Sequence, residues 1–407
     1  MKILVLNAGS SSQKSCLYEI GEFLPDSPIP PIWEGSIDWG TTQARITIKV
    51  SGHIKTALLP SSNRFHVLKN LILTVIQGEH SVVGSLKEIN RVGHRVVHGG
   101  RRYQQATLIT PEVEAEIERL IPLAPNHNPC HLEGIAAIRE ILEDVPQIAV
   151  FDTAFHAQIP RSIAAYPIPY KWYEQGIRRY GFHGISHQYC AKRAAHLLGC
   201  ELDKLKIITC HLGNGASLAA IRNGISINTT MGFTPLEGLM MGTRCGSIDP
   251  SILIYLLKNQ GLSTDELNHV LNRESGLKGI FGKSGDMRDV LASWTAGDEQ
   301  AVLALDMYIE RLKSAIGAMT ATLGGVDCLV FTAGIGENSA VVRQLTCNGL
   351  GFLGISVDHN LNEGVSSDID IATPNSRVRI FVIHTQEDWE IAAECWRLTL
   401  HHANSHN

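Results

Sequence analysis

Arg95 and Arg244 stand in HRVVHGG and MGTRCGSIDP, flanked by glycine and apolar residues rather than by other charges. A guanidinium in such a setting needs an anion beside it, because an unpaired buried cation is costly. A structural ion pair meets that need, and so does a carboxylate or phosphate ligand. Asp152 ends the apolar run IAVFD, where a carboxylate is poorly solvated unless a cation or donors reach it. His183 and His187, in YGFHGISH, have the i, i+4 spacing that zinc takes on a helix. Gly181 and Gly184 argue against a helix there, and no glutamate completes a metalloprotease motif. From its neighbours alone His183 reads as a satisfied core histidine rather than a ligand.

Three glycine turns follow apolar runs: NAGSSSQKS around Gly9, HLGNG with Gly213, Asn214 and Gly215, and FTAGIGEN with Gly334 to Asn338. Glycine lets backbone N–H groups approach an anion closely. The first turn almost spells a P-loop, but the glycine that should precede Lys14 is missing. A true P-loop also leads into a helix, whereas Ser15 to Ile20 is short and β-prone. Lys14 therefore sits on a hairpin. Each turn alone is an ordinary strand ending; three at strand ends of one α/β chain point to a ligand site.

The elements that must carry these residues alternate along the chain. Ile3 to Leu6 and Ala44 to Val50 read as strands, and Phe65, Leu68, Leu71, Ile72 and Val75 recur at helical spacing. Arg91 to Val97 predicts a strand ending in a glycine turn, and Thr110 with Pro111 predicts a helix start. After residue 200, strand, glycine turn and strand recur from Lys206 to Ile221. Laid over the first hairpin, Gly213 falls on Gly9, which suggests an internal duplication. Helices follow Asp249-Pro250 and run near Thr264 to Leu271, and one long helical region covers about Val290 to Leu323 before Gly324-Gly325. A strand then opens into a glycine loop at Gly334, and Val378 to Ile383 leads into a closing helix.

The 407 residues are enough for two domains around a shared cleft. A net charge of −5 gives no basic footprint for nucleic acid and no polybasic membrane patch. No run of 18 apolar residues exists, and the N-terminal apolar stretch is too short for a signal peptide. Nine cysteines, with no C-x-x-C pair, predict reduced thiols and a cytoplasmic location. The histidines of the tail, His401, His402 and His406, fit a frayed terminus better than a metal site.

Taken together, NAGSSSQKS, HRVVHGG, FDTAFH, RYGFHGISH, HLGNGAS, TPLEGLMMGTRCGSIDP, FTAGIGEN and HTQEDWEIA resemble the acetate kinase family. That family lies in the acetate/sugar kinase–Hsp70–actin superfamily, and the likeness runs in order from residue 1 to beyond 390. It implies an α/β fold of two duplicated actin-like (ribonuclease H-like) domains with an interdomain ATP cleft. The N-terminal domain would be 1–151 with 386–407, and the nucleotide-binding domain 152–385. The implied reaction is reversible transfer of the ATP γ-phosphoryl to acetate, with Mg²⁺ (or Mn²⁺ in its place) as cofactor and a homodimer as assembly.

By motif, Asp152, His183 and Arg244 match the catalytic residues, and Arg95, Val97, Phe182 and Pro235 the acid-binding ones. Lys14, His211, Leu212, Gly213, Asn214, Gly215, Asp286, Met287, Arg288, Gly334, Ile335, Gly336, Glu337 and Asn338 match nucleotide contacts. Asn7 and Glu387 match the metal-associated pair. Asn126 departs from the apolar residue expected before His127-Asn128-Pro129, which leaves propionate and butyrate open as acids. Cys245 and Ser247 also depart from the usual form. A non-catalytic ATP-binding switch of the actin or Hsp70 kind is the rival from another class. A carboxylate substrate is already ionised at pH 7, so its attack requires no general base. Asp152 is then expected to orient cationic partners rather than to take a proton.

Overall fold

A computed structural model describes residues 1–9, 12–61, 63–78, 81–125, 127–365 and 368–404. Asn126 and His406 lie outside these residues, as do the side chains of His401 and His402. The chain divides into two compact units, Met1–Phe155 with Gln386–Asn407, and His156–Thr385.

The first unit is built on an eight-stranded sheet: β1 (Lys2–Ala8), β2 (Ser12–Glu19), β3 (Trp33–Trp39), β4 (Gln43–Val50), β5 (His53–Pro60), β6 (Ile89–Val96), β7 (Thr107–Leu108) and β8 (Gln147–Phe151). Its order is β5-β4-β3-β2-β1-β6-β8-β7. β1 pairs antiparallel with β2 and parallel with β6, which runs parallel to β8. Ile3, Leu4, Val5 and Leu6 are buried on both faces, so β1 reads as a continuous apolar run. On one face Leu4 and Leu6 join Trp33, Leu68, Leu71, Ile72 and Ile138 in a single core. The other face receives the closing helix Glu387–Asn404, which packs on β1 and β6.

The second unit repeats the plan. Its strands are β9 (Lys206–Leu212), β10 (Ala216–Arg222), β11 (Ile225–Thr229), β12 (Cys328–Thr332), β13 (Ile369–Asp370) and β14 (Arg379–Val382), ordered β11-β10-β9-β12-β14-β13. β9 is antiparallel to β10 and parallel to β12, which is parallel to β14. Within each sheet the third, second, first, fourth and fifth principal strands therefore lie side by side. Each also has a two-residue antiparallel strand, β7 or β13, beside the fifth. The duplication suggested by two similar hairpins extends to six strands of each sheet, and β4 and β5 have no counterpart in the second.

Three local expectations are corrected. The helical region before Gly324 is two helices, Met287–Thr295 and Glu299–Leu323. Gly297 takes a left-handed φ of 79°, and Asp298 caps the second helix through the N–H of Ala301. The segment after β12 is not a glycine loop but a short helix, Ala333–Asn338. Finally, Gly181 and Gly184 do not forbid a helix: Gly184–Leu198 is one, and it begins directly after His183. His183 is its cap, held in the left-handed region at φ 56°, so it precedes the helix on which His187 lies.

All nine cysteines are free. Among the described residues, no helix is long and apolar enough to cross a membrane.

Candidate functional site

In the first unit the polar groups gather at the carboxyl ends of β1, β6 and β8. Arg95, on β6, grips Asp152 just beyond β8: Nε lies 3.2 and 3.1 Å from the two carboxylate oxygens, and Nη2 2.7 Å from Oδ2. Such a fork suits a carboxylate that accepts at both oxygens. Burial pushes the Asp152 carboxyl above its ordinary value and Arg95 pulls it back. Burial also pulls on the Arg95 guanidinium, but Asp152 and Glu387 outweigh it and hold the cation firmly charged.

Arg95 further donates from Nη1 to Asn7 Oδ1 at 3.2 Å. Asn7 in turn donates to Glu387 at 3.2 Å and Asp388 at 3.0 Å, both at the start of the closing helix. Lys14, opposite Asn7 in the hairpin register, binds Asp388 at 2.6 Å. Burial alone would lower the Lys14 pKa, yet Asp388 overrides it and lifts it to about 12. Lys14 is thus tied into a charged network, with its side chain still half exposed. Val97, the next residue but one after Arg95, is buried.

In the second unit a cavity of about 780 Å³ brings together three separate runs: Gly213-Asn214, Gly285 to Arg288, and Gly334-Ile335 with Asn338. These are stretches matched to nucleotide contacts. Asp286 is the cap of the helix Met287–Thr295 and also pairs with Arg288. Leu212 is fully buried beneath the turn and Gly336 is buried in the short helix. Glu337 turns inward: Oε1 accepts from the Ala333 N–H at 2.8 Å and the Thr385 N–H at 3.1 Å, and Oε2 meets His384 at 2.5 Å. Through the Ala333 N–H that carboxylate closes the first turn of the short helix. Burial raises its pKa, but these partners outweigh burial and leave it below the usual glutamate value.

His183 and Arg244 converge beside the glycine turn. A β-carbon placed on Gly215 would stand 3.4 Å from both Arg244 Nη1 and His183 Nε2. Gly213 N–H closes the turn on the Gly215 carbonyl at 3.0 Å. The His183 ring stacks on His211 with centroids 4.2 Å apart, and His211 Nδ1 is 2.8 Å from Ser186 Oγ.

Arg244 donates to the Pro235 carbonyl at 3.1 Å and approaches Met241 Sδ. Among the described residues it has no carboxylate partner. Burial, then the charge of Arg273, pulls its pKa below the usual value. Phe182 is buried, with its carbonyl 3.1 Å from His156 Nε2. Ser247 closes the TRCGS turn, exchanging two hydrogen bonds with Gly238 around Gly246 at φ 71°. Cys245 Sγ donates to the Gly246 carbonyl.

Sequence reasoning missed Asp388 and the contacts of Ser217 Oγ with His183 Nδ1 and His187 Nε2. Asp388 had a signal, since it follows Glu387 directly. Ser217 had none beyond its place two residues after Gly215.

Among known proteins, the model of the acetokinase family matches residues 2–393. An acetate kinase of Rippkaea orientalis is 58% identical over 399 residues, covering 97% of this chain and 98% of that protein. The crystal structure of the Porphyromonas gingivalis acetate kinase superposes with a TM-score of 0.89 at 40% identity, covering 97% of this chain and 98% of that one. A propionate kinase from Francisella tularensis superposes with a TM-score of 0.88 at 39% identity, with the same coverages. With a family model spanning nearly its whole length and relatives of this identity, the chain belongs to the acetokinase family.

Proposed function

We propose that the chain is an acetate kinase, transferring the γ-phosphoryl of ATP reversibly to acetate. The observation that carries this reading is Arg244: a half-buried guanidinium without a carboxylate partner among the described residues, sharing the space over Gly215 with His183 Nε2. An anionic ligand supplies what the fold withholds. The cavity lined by Gly213, Asn214, Asp286 and Gly334 is the reading's nucleotide site.

In the step itself an acetate oxygen forms a bond to the γ-phosphorus while the bond to the β–γ bridging oxygen breaks. ADP leaves with that electron pair, and no proton has to move. Catalysis therefore rests on holding two anions together and on donors aimed at the equatorial oxygens. Arg95 is the acid's anchor in this reading, and Val97, Phe182 and Pro235 are the apolar residues matched to acid binding. Asp152 fixes the angle of the Arg95 fork. His183 and Arg244 meet the charge that spreads over the transferring group.

The donor set fits a metal that arrives with the nucleotide. Glu387 and the Asn7 amide oxygen are hard oxygen donors. Among the described residues no group of three or more His, Cys, Asp or Glu could hold a metal alone. Magnesium is ordinarily bound by one or two carboxylates together with substrate phosphates. When bound, Mg²⁺ would neutralise phosphate charge.

A hydroxamate assay with ATP, Mg²⁺ and each of acetate, propionate and butyrate tests the reading. Acyl hydroxamate should form, with the highest kcat/KM for acetate; a higher value for propionate would move the assignment to a propionate kinase. One methylene is worth about 1–3 kcal/mol in such a pocket, so the ratio is readable. ATP binding with no hydroxamate from any acid would leave the nucleotide-switch reading instead. The same proposal places the enzyme in the cytoplasm as a homodimer, and a light-scattering mass of one chain would contradict the second part.

A further inference from the structure

Behind His183 runs a chain of hydrogen bonds that the reaction as described leaves unused. His183 Nδ1 lies 2.9 Å from Ser217 Oγ, and the same oxygen lies 2.8 Å from His187 Nε2. His187 Nδ1 lies 2.7 Å from Thr209 Oγ1. Ser217, His187 and Thr209 are all fully buried. Thr209 is on β9, Ser217 on β10 and His187 on the helix Gly184–Leu198, so three elements of the second unit meet in one line of polar atoms.

The bookkeeping of donors in this line is restrictive. Burial, and then the neighbouring His156 and His211, hold the His187 pKa well below its ordinary value. Its ring is therefore neutral, with one N–H and one lone pair. Each hydroxyl can donate one hydrogen and accept another. With Thr209 donating to His187 Nδ1, His187 Nε2–H donates to Ser217, and Ser217 must donate to His183 Nδ1. The proton of a neutral His183 is then left on Nε2, the atom that faces Arg244 across Gly215. With the chain reversed, a neutral His183 would show a lone pair to the phosphoryl oxygens and repel them.

The backbone of His183 is held in place as well. His183 is one of six non-glycine residues with positive φ among the described residues, at 56°. Such a backbone costs free energy and persists where surrounding contacts hold it.

We propose that Ser217 and His187 are positioning residues for the transfer: they orient the His183 ring and keep its proton on Nε2, so that it meets the γ-phosphoryl as a donor. The inference rests on the acetate kinase reading for the direction of the chain and for its kinetic consequence, whereas the contacts that tie His183 to Ser217 and His187 stand without it.

Ser217→Ala removes one oxygen from the chain. It should lower kcat about ten- to a hundredfold, with KM for acetate and ATP within about twofold, because the contact matters in the transition state. In a His183→Ala background the same change should cost less than about twofold further, the sign of a residue that acts through another. A full effect in that background, or wild-type kcat in the single variant, overturns the proposal.

Nitrogen-15 spectra of histidine-labelled protein give a readout free of activity. His183 should show a bare Nδ1 and a protonated Nε2, and Ser217→Ala should disturb that pattern. Any other protonation pattern in the wild-type protein, or no change in the variant, overturns the relay. If the wild-type chain fails to phosphorylate acetate, the functional reading falls, while the nitrogen spectra still decide the relay.

Discussion

Arg95 and Asp152 face each other at the ends of β6 and β8, with the arginine fork closed on both carboxylate oxygens. The pair is not spent on structure alone. The arginine's Nη1 still reaches Asn7, which is bound to Glu387 and Asp388, so the proposed acid anchor is tied directly to the pair proposed for the metal.

Asp152→Asn keeps the shape of that pair and removes its charge. Breaking one side of a buried ion pair costs about 3–5 kcal/mol, because the other charge stays buried. Denaturant titration should show a loss in that range. Steady-state kinetics should show a lower kcat, a changed magnesium requirement, or both. A variant with most of the rate and an unaltered magnesium profile would remove Asp152 from any orienting role.

Arg244→Ala should act mainly on kcat. The guanidinium is held by a carbonyl, not a carboxylate, and faces the space it shares with His183. Loss of one preorganised donor at developing charge costs on the order of 10²–10³ in kcat. The acetate KM should change far less. A pure KM effect would assign Arg244 to ground-state binding instead.

Glu337 gives a pH dependence whose sign is fixed. Its pKa is lowered in the folded chain, because His384 and the N–H groups of Thr385 and Ala333 outweigh the opposing burial. The stability it contributes is therefore present above the ordinary glutamate value and is lost as pH falls through the folded value. Glu337→Gln should unfold more easily than wild type at pH 7. The gap between their denaturation midpoints should narrow below about pH 4.5, the ordinary value. A gap that stays constant from neutral to acid pH would show the carboxylate charge to be idle.

Gly93 lies on β6 beneath the closing helix. A β-carbon there would stand 2.7 Å from both Cys395 Sγ and Ile391 Cγ2. Overpacking of this kind costs about 1–3 kcal/mol. Gly93→Ala should lower the denaturation midpoint accordingly, and an unchanged midpoint would mean that the helix yields without cost.

Much of this was legible in the residues. The apolar run of β1, the hairpin that carries Lys14 and its repeat around Gly213 follow from alternation and turn chemistry. The demand of Arg95 for a nearby anion was readable too, since its neighbours are apolar.

What escaped is what depends on distant partners. β5 exposes nearly its whole length to solvent, including Ile54 and Leu58, so no buried face marks its period. The stretch from Gly334 to Asn338 looks like a loop because its helix is held by the inward Glu337 and by Thr385, far along the chain. Ser217 and His187 gain meaning only when β9, β10 and a helix bring Thr209, His187 and His183 into line.

The most direct test follows the phosphorus itself. Purified protein with ATP, Mg²⁺ and acetate should give a ³¹P spectrum in which an acyl phosphate signal grows in equal amount with ADP, and vanishes when acetate or magnesium is withheld. Conversion of ATP to ADP and inorganic phosphate alone, with the acid making no difference, would contradict a phosphoryl transfer to carboxylate.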